Sequence, residues 1–338
     1  MTDSSEIKTA TASVLTGTVP DSLSIAVILP CYNEEVAIGD VVRSFRAALP
    51  GAQVYVFDND STDATVSRAT DAGAIVKPEP VRGKGNVVRR MFADVEADIY
   101  VMADGDGTYD AALAPALVER LYAGSLDMVV GTRLGSRGQG LFRGGHRIGN
   151  RALSWLASHL FHHQLADVLS GYRVFSRRFV KSFPALSTGF EIETELTMHA
   201  LELRLPTAEV ETAYVARPEG STSKLNTVRD GIRILWLLTV LIKELKPLAF
   251  FGTIAAFLVF DSVILTWTIF TTFMETGLVP RLPTAVLATG IMLLAFLSLT
   301  AGLILDSLSR ARLEAKRTAY LRYPSVRTDE SSPPPERS

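Results

Sequence analysis

Residues 98–106 read Asp-Ile-Tyr-Val-Met-Ala-Asp-Gly-Asp, an apolar run that ends abruptly in two carboxylates separated by a glycine. So short a run without polar alternation predicts a strand buried on both faces. The pattern recurs upstream. Residues 24–29 (SIAVIL) are followed by Pro-Cys-Tyr-Asn-Glu34, and residues 53–57 (QVYVF) by Asp58 and Asp60. Residues 35–48, 62–72 and 86–95 read as helices, the first with Val36, Val41, Val42 and Phe45 on one side; residues 74–76 read as a short strand. Strands alternating with helices imply an α/β domain built on a mostly parallel sheet. Ligands of such sheets bind at the carboxyl ends of the strands. Asn33 and Glu34, Asp58 and Asp60, and Asp104 and Asp106 are therefore expected to share one crevice.

The rest of the chain is organised around that domain. The first 21 residues are rich in Ser, Thr and Ala and lack the basic start and apolar core of a signal peptide; they and the last dozen residues read as disordered tails. The hydrophobic share of 47% hides a split, because after Pro247 the apolar residues run almost without interruption by charge. Residues 249–270, with Asp261 as their one charge, and residues 284–305, with none, are each long enough for a helix to cross the roughly 30 Å hydrocarbon core of a bilayer. Lys243 and Lys246 precede the first span, and Arg310, Arg312, Lys316 and Arg317 follow the second. The positive-inside rule then gives a multi-pass protein of the inner (plasma) membrane, with the α/β domain and the C-terminus in the cytoplasm. Between domain and spans, Val228, Ile232, Leu235, Leu238 and Ile242 form a stripe opposite Arg229, Arg233 and Lys243, as in a helix lying in the interface. The expected divisions are a tail (1–21), the α/β domain (22–226), the interfacial helix (227–246), two spans (247–308) and a basic, then disordered, tail (309–338). Asp261 reads either as protonated or as paired across a helix interface in a homo-oligomer.

A formal net charge of −2 and the absence of a basic run among aromatics argue against nucleic acid as a partner. Cys31 is the only cysteine, which excludes an internal disulfide and a zinc or iron–sulfur cluster and suits a reducing compartment.

Asp104 and Asp106 can converge on one hard cation, Mg²⁺ or Mn²⁺, with diphosphate oxygens and water completing the shell. Such an ion neutralises charge on a departing diphosphate. Arg82 and Lys84, bracketed by Gly83 and Gly85, supply positive charge and a backbone able to approach that diphosphate. Arg133 and Arg147 flank a glycine-rich segment with the character of a gate, and arginine suits bidentate phosphate binding. Glu191, Glu193 and Glu195 alternate in GFEIETEL, where one could approach a substrate or all could form a solvated face.

Taken in order, Pro30-Cys-Tyr-Asn-Glu34, Asp58-Asn-Asp-Ser-Thr-Asp63, Gly83-Lys-Gly85, Asp104-Gly-Asp106, Gly131-Thr-Arg133, Arg147-Ile-Gly-Asn150, Asp167-Val-Leu-Ser-Gly-Tyr-Arg173 and Arg217-Pro-Glu-Gly-Ser-Thr-Ser-Lys224 resemble a family-two glycosyltransferase of the GT-A fold. Within that family the chain is most similar to polyprenyl-phosphate sugar synthases of the dolichyl-phosphate mannose or glucose type. The resemblance implies that Pro30, Tyr32, Glu34 and Asp58 line a nucleoside pocket, and Asp60 and Lys84 are counted with them as donor-binding residues. It implies that Asp106, with Asp104, holds the metal, that Arg133 and Arg147 clamp a lipid phosphate, and that Asp167 orients the acceptor or acts as base. Arg217, Ser223 and Lys224 resemble the motif that closes on the donor diphosphate. Thr108 stands where part of the family has a metal-reaching Gln, and Asn59 where many members have a second Asp. The expected reaction is inverting attack by polyprenyl phosphate on C1 of a nucleotide-linked sugar. A phosphate monoester, with a second pKa of about 6, is already a dianion and needs no strong base. A hydroxyl acceptor on a lipid or glycan, and a non-catalytic sugar-nucleotide scaffold, are the competing expectations.

Overall fold

The strand at Ile25–Cys31 (β1) is buried along almost its whole length, because it is flanked on both sides within the sheet and covered on both faces. Its odd residues Val27 and Leu29 enter one core layer with Val42, Phe45, Leu117 and Tyr172. Its even residues Ala26 and Ile28 enter the other, with Met91, Tyr100, Phe175 and Leu196. A strand that feeds two cores has no polar face, hence the unbroken apolar run in its sequence.

The computed structural model describes residues 19–132, 167–189, 191–212, 239–240, 243–244 and 246–327. After β1 come α1 (Ile38–Ala48), β2 (Gln53–Asp58), α2 (Thr65–Asp71), β3 (Ile75–Pro78), α3 (Lys84–Asp94), β4 (Ile99–Met102), a 3₁₀ turn (Ala111–Leu113) and α4 (Ala114–Ala123). Then follow β5 (Met128–Thr132), β6 (Arg173–Ser176), α5 (Arg177–Ser182), α6 (Ile192–Leu203) and β7 (Thr207–Glu211). Among the described residues the seven strands form one sheet of order β3-β2-β1-β4-β6-β5-β7. Only β6 is antiparallel to its neighbours. The mostly parallel α/β sheet expected from the sequence is present. The acid-tipped strands β2, β1 and β4 are adjacent and parallel, so their carboxyl ends lie side by side.

One expectation is corrected here. Helix α1 begins at Ile38 rather than at residue 35, because Glu34 to Ala37 form the turn whose carbonyls accept from Ala37, Ile38, Asp40 and Val41. Val36 is consequently 67% exposed, and Ile38 takes its place in the core. Within GFEIETEL, Ile192 starts α6, which places Glu193 and Glu195 in its first turn.

The chain divides into two units, residues 1–224 with 316–338, and residues 225–315. In the first, Asp127 is fully buried and receives Arg178 through both carboxylate oxygens (2.5 and 3.0 Å), Ser176 Oγ (2.7 Å) and the Tyr320 hydroxyl (2.9 Å). Lys316 bonds Glu202 at 2.7 Å. The segment from residue 309, expected as a basic stretch leading into a disordered tail, is helical as far as Tyr320, and from Lys316 onward it belongs to this unit.

The second unit holds α7 (Pro247–Thr276) and most of α8 (Leu282–Tyr320), both long and apolar enough to cross a membrane. The spans expected at 249–270 and 284–305 lie inside them. The two helices meet through small residues: Ala255, Ala288, Ala295 and Gly302 are buried, Ser262 Oγ donates to the Ala288 carbonyl at 2.8 Å, and Ser298 Oγ to the Phe251 carbonyl at 3.0 Å. Phe257, Trp267, Phe296 and Leu297 point outward, an arrangement opposite to that of a water-soluble helix pair. Asp261 is also on the outer side. Most of the stretch expected as an interfacial helix (227–246) lies outside the described residues.

His199 lies between Phe179 and Phe183 and shares a 3.0 Å hydrogen bond with Ser182, while its Nδ1 is buried without a partner among the described residues. Burial, with a smaller contribution from Lys316, depresses its pKa from 6.5 to about 3. The folded chain keeps the ring neutral, whereas the unfolded chain takes up a proton below pH 6.5. Stability is therefore complete above that pH and lost as pH falls towards 3. Chemical unfolding should show a loss of about 2 kcal/mol between pH 7 and pH 5 that His199→Leu removes; an unchanged slope in the variant would refute the assignment.

Candidate functional site

The crevice at the ends of β2, β1 and β4 is organised by turns between neighbouring loops. Asn33 and Asp60 adopt left-handed backbone (φ 54° and 61°), a conformation that Asn and Asp tolerate. Asn33 Oδ1 accepts from the Thr62 amide (2.8 Å), the Asn33 amide donates to Ser61 Oγ (2.9 Å), and the Glu34 amide to Thr65 Oγ1 (2.8 Å). The Pro30–Glu34 and Asp58–Asp63 blocks are thus one interlocked structure. Pro30 is the penultimate residue of β1, opposite Phe57, and Tyr32 is half-exposed with the Arg82 guanidinium 4.5 Å from its ring centre. Arg82 also binds Asp60 at 3.1 Å. Asn59 donates to the carbonyls of Glu79 and Val81 and accepts from the Gly83 amide, so its side chain is spent on the loop that precedes α3. Asp58 is 7% exposed; its Oδ2 accepts from Ser61, and its Oδ1 is buried with no partner among the described residues. A buried acceptor without a donor fits the N–H or O–H of a bound nucleoside.

The metal-binding candidates follow β4, on the other side of β1. Asp106 is buried, and its Oδ1 takes bonds from the Thr108 hydroxyl (2.6 Å) and amide (3.1 Å). Thr108, at the position of the family's metal-reaching Gln, thus orients the Asp106 carboxylate. Asp104 receives the Lys84 ammonium at 2.5 Å, and the same ammonium lies 2.6 Å from Glu193. Burial alone would lower the Lys84 pKa, but the two carboxylates more than offset it and raise it well above the usual lysine value. Among the described residues no three His, Cys, Asp or Glu side chains converge as a ready-made cage. Two carboxylates fit a hard divalent cation that takes its other oxygens from a diphosphate and water. Helix α3 starts at Lys84, and its first turn is tied down: the Gly85 amide donates to the Thr188 carbonyl (3.2 Å) and the Asn86 amide to the Gly83 carbonyl (3.0 Å), so from this helix start it is the Lys84 side chain that reaches Asp104.

Glycines shape the crevice by the space they leave. A Cβ on Gly105 would lie 2.3 Å from Cys31 Sγ, and one on Gly171 would lie 2.7 Å from Asp104 Oδ2. Cys31 is buried beneath the loop; burial, then Glu34, Asp104, Asp58 and Asp106, raise its pKa and keep the thiol neutral. At Gly83 (φ 128°) and Gly85 the space is filled by the carbonyls of Thr188 and Ser187, 2.1 and 2.0 Å from a notional Cβ. This corrects the reading of these glycines as a path for backbone to reach a diphosphate: they admit the segment before α6. Glu195 fixes that segment by accepting from the Leu186 and Ser187 amides (2.9 and 2.8 Å). Of the three alternating glutamates, Glu193 reaches the site and Glu195 braces it. Helical phase separates them, but no motif announced Glu193.

Asp167 is 4% exposed and its amide bonds Glu209. The loop from Asp167 to Gly171 is held by the fully buried Arg173, which donates to the carbonyls of Ser170 (2.8 Å) and Val168 (2.7 Å), and by the Gly171 amide on the Tyr109 hydroxyl (3.0 Å). The loop therefore abuts Asp104. Arg133, Arg147, Arg217, Ser223 and Lys224 lie outside the described residues. Because Gly171→Ala would push on the Asp104 carboxylate, it is expected to weaken Mn²⁺ binding about tenfold while shifting Tm by only a few degrees. Unchanged Mn²⁺ affinity would mean that Asp104 is not held where the geometry puts it.

Residues 26–183 match the family described as Glycosyl transferase family 2. Glycosyltransferase AglJ of Haloferax volcanii is 35% identical over 237 residues, 70% of this chain and 78% of that one. A dolichol-phosphate mannosyltransferase of Pyrococcus furiosus is 23% identical over 233 residues, 64% of each chain. Among solved structures, glucosyl-3-phosphoglycerate synthase from Mycobacterium tuberculosis, in complex with Mn²⁺, UDP and glucosyl-3-phosphoglycerate, superposes with a TM-score of 0.53 at 26% identity, over 66% of this chain and 80% of that one. With its acid-tipped strands, its Asp-Gly-Asp loop and a relative of this similarity and coverage, the chain belongs to glycosyl transferase family 2 and carries the GT-A fold.

Proposed function

We propose that the chain transfers a sugar from a UDP- or GDP-linked donor to polyprenyl phosphate at the inner-membrane surface, with inversion at C1. The observation that carries the acceptor assignment is the pair of helices α7 and α8, whose large apolar side chains face outward from their own packing. A glycosyltransferase with its own membrane anchor fits an acceptor that resides in the bilayer, and the Pyrococcus relative is named for such an acceptor. The basic flanks of the helices favour a cytoplasmic site.

In this reading, Asp58 and Tyr32 receive the nucleoside, with Pro30, Glu34 and Asp60 around it. Asp104 and Asp106 hold Mg²⁺ or Mn²⁺, which supplies Lewis acidity at the departing diphosphate. The superposed synthase was crystallised with Mn²⁺ and UDP, in keeping with a divalent ion at this site. Lys84 faces the diphosphate, with Arg217, Ser223 and Lys224 as its further partners. Arg133 and Arg147 bind the acceptor phosphate and offset its repulsion from the donor, so the main task is to align two anions. Asp167 orients the acceptor.

The test is transfer by the full chain in detergent or bilayers, with UDP- and GDP-sugars, Mg²⁺ or Mn²⁺, and either prenyl phosphate or the matching prenyl alcohol. A prenyl-phosphate sugar should appear by mass spectrometry and the alcohol should be inert; equal use of the alcohol would favour a hydroxyl-transferring enzyme instead. Asp106→Ala should lower kcat at least about a hundredfold without unfolding. Arg133→Ala or Arg147→Ala should raise KM for the lipid phosphate more than for the donor, and an equal rise for both would remove the clamp.

A further inference from the structure

The lysine between Asp104 and Glu193 occupies a position that the donor-site reading does not by itself explain. Lys84 takes Oδ1 of Asp104, so a cation arriving on the same carboxylate shares its negative charge with the ammonium and is repelled by it. The three side chains are unequally placed: those of Lys84 and Glu193 are 11% and 8% exposed, and that of Asp104 is 28% exposed. Glu193 is therefore the enclosed anchor and Asp104 the partner open to exchange. Glu193 is fixed from behind, since it opens α6 and its carbonyl accepts from Thr197 Oγ1 (3.0 Å), which itself receives the buried Arg173 (3.0 Å). Lys84 is fixed as well, at the first residue of α3, between two glycines that the Ser187–Thr188 backbone fills.

We infer that Glu193 is a positioning residue that stores the Lys84 ammonium against Asp104, so that the site takes its divalent cation together with the donor diphosphate rather than before it. This rests on the metal-and-diphosphate reading of the crevice. A free cation on Asp104 competes with Lys84 for one carboxylate and sets two positive charges side by side in an enclosed site. A diphosphate arriving with the cation gives Lys84 a new anionic partner while Glu193 keeps hold of the other side. Cation and nucleotide then bind cooperatively, and such couplings are typically about 5- to 150-fold.

The test uses the full chain in detergent, with free Mn²⁺ followed by electron paramagnetic resonance, alone and with UDP or GDP. In the native protein one of the nucleotides should tighten Mn²⁺ binding by about tenfold or more. The double variant Lys84→Met/Glu193→Gln removes one charge of each sign and leaves the net charge of the site unaltered. It should bind Mn²⁺ alone about tenfold more tightly than the native protein and lose most of the nucleotide enhancement. Equal affinity of the two proteins for Mn²⁺ alone overturns the inference and leaves the donor site standing. Failure of the native protein to bind Mn²⁺ with either nucleotide sinks the metal reading and the inference together. Should the double variant not fold, Glu193→Gln alone decides: donor KM should rise about tenfold with kcat little changed, and Glu193→Asp should restore part of it. A fall in kcat at constant KM would overturn the positioning role.

Discussion

Carboxylates gather at one end of the sheet, and the fold depends on what holds them there. Asp58, Asp104, Asp106 and Glu193 stand at the strand ends or face them, three of them less than a tenth exposed. Water cannot screen such groups effectively, so each must be neutralised or bonded from within the protein. Lys84 does this for Asp104 and Glu193, Thr108 for Asp106 and Ser61 for Asp58. The uncharged Cys31 thiol lies beneath, where a charged or bulkier group would either add repulsion or displace Gly105. Polar contacts between neighbouring strand ends and loops hold the acids of the crevice in place.

Much of this was legible in the sequence because it is local. An apolar run ending in acids marks a central parallel strand and its active end together, and β1, β2 and β4 all carried that mark. What escaped depends on contacts between distant segments. Glu193 meets Lys84 from more than a hundred residues away, and Gly85 is required by a carbonyl at Ser187. Nothing in Gly-Lys-Gly distinguishes room for a ligand from room for another stretch of the same chain. The reversed strand β6 was equally hidden, since Val174 and Phe175 read as core in either direction.

The second core shows the same economy of charge. Asp127 is fully buried and is served by Arg178, Ser176 and Tyr320, with the Arg178 guanidinium 4.8 Å from the Tyr320 ring centre. A buried ion pair adds little stability compared with apolar residues of the same shape, but losing one partner strands the other. Tyr320 therefore has a defined place. Charge pattern alone describes residues 309–320 as a basic flank, whereas the hydrogen bonds make the end of that segment part of the sheet domain's periphery.

Within the membrane-compatible unit the logic inverts. In lipid, two helices gain no hydrophobic energy by hiding leucines from one another, so association rests on close backbone approach and on hydrogen bonds. Gly302, whose Cβ would stand 3.0 Å from that of Phe251, and Ala288 and Ala295 permit the approach, while Ser262 and Ser298 supply the bonds. The large side chains are left for the surroundings. Were these helices built for water, Phe257, Trp267, Phe296 and Leu297 would face inward and the alanines outward. That reversal, more than their length, argues that the chain works where its proposed acceptor resides.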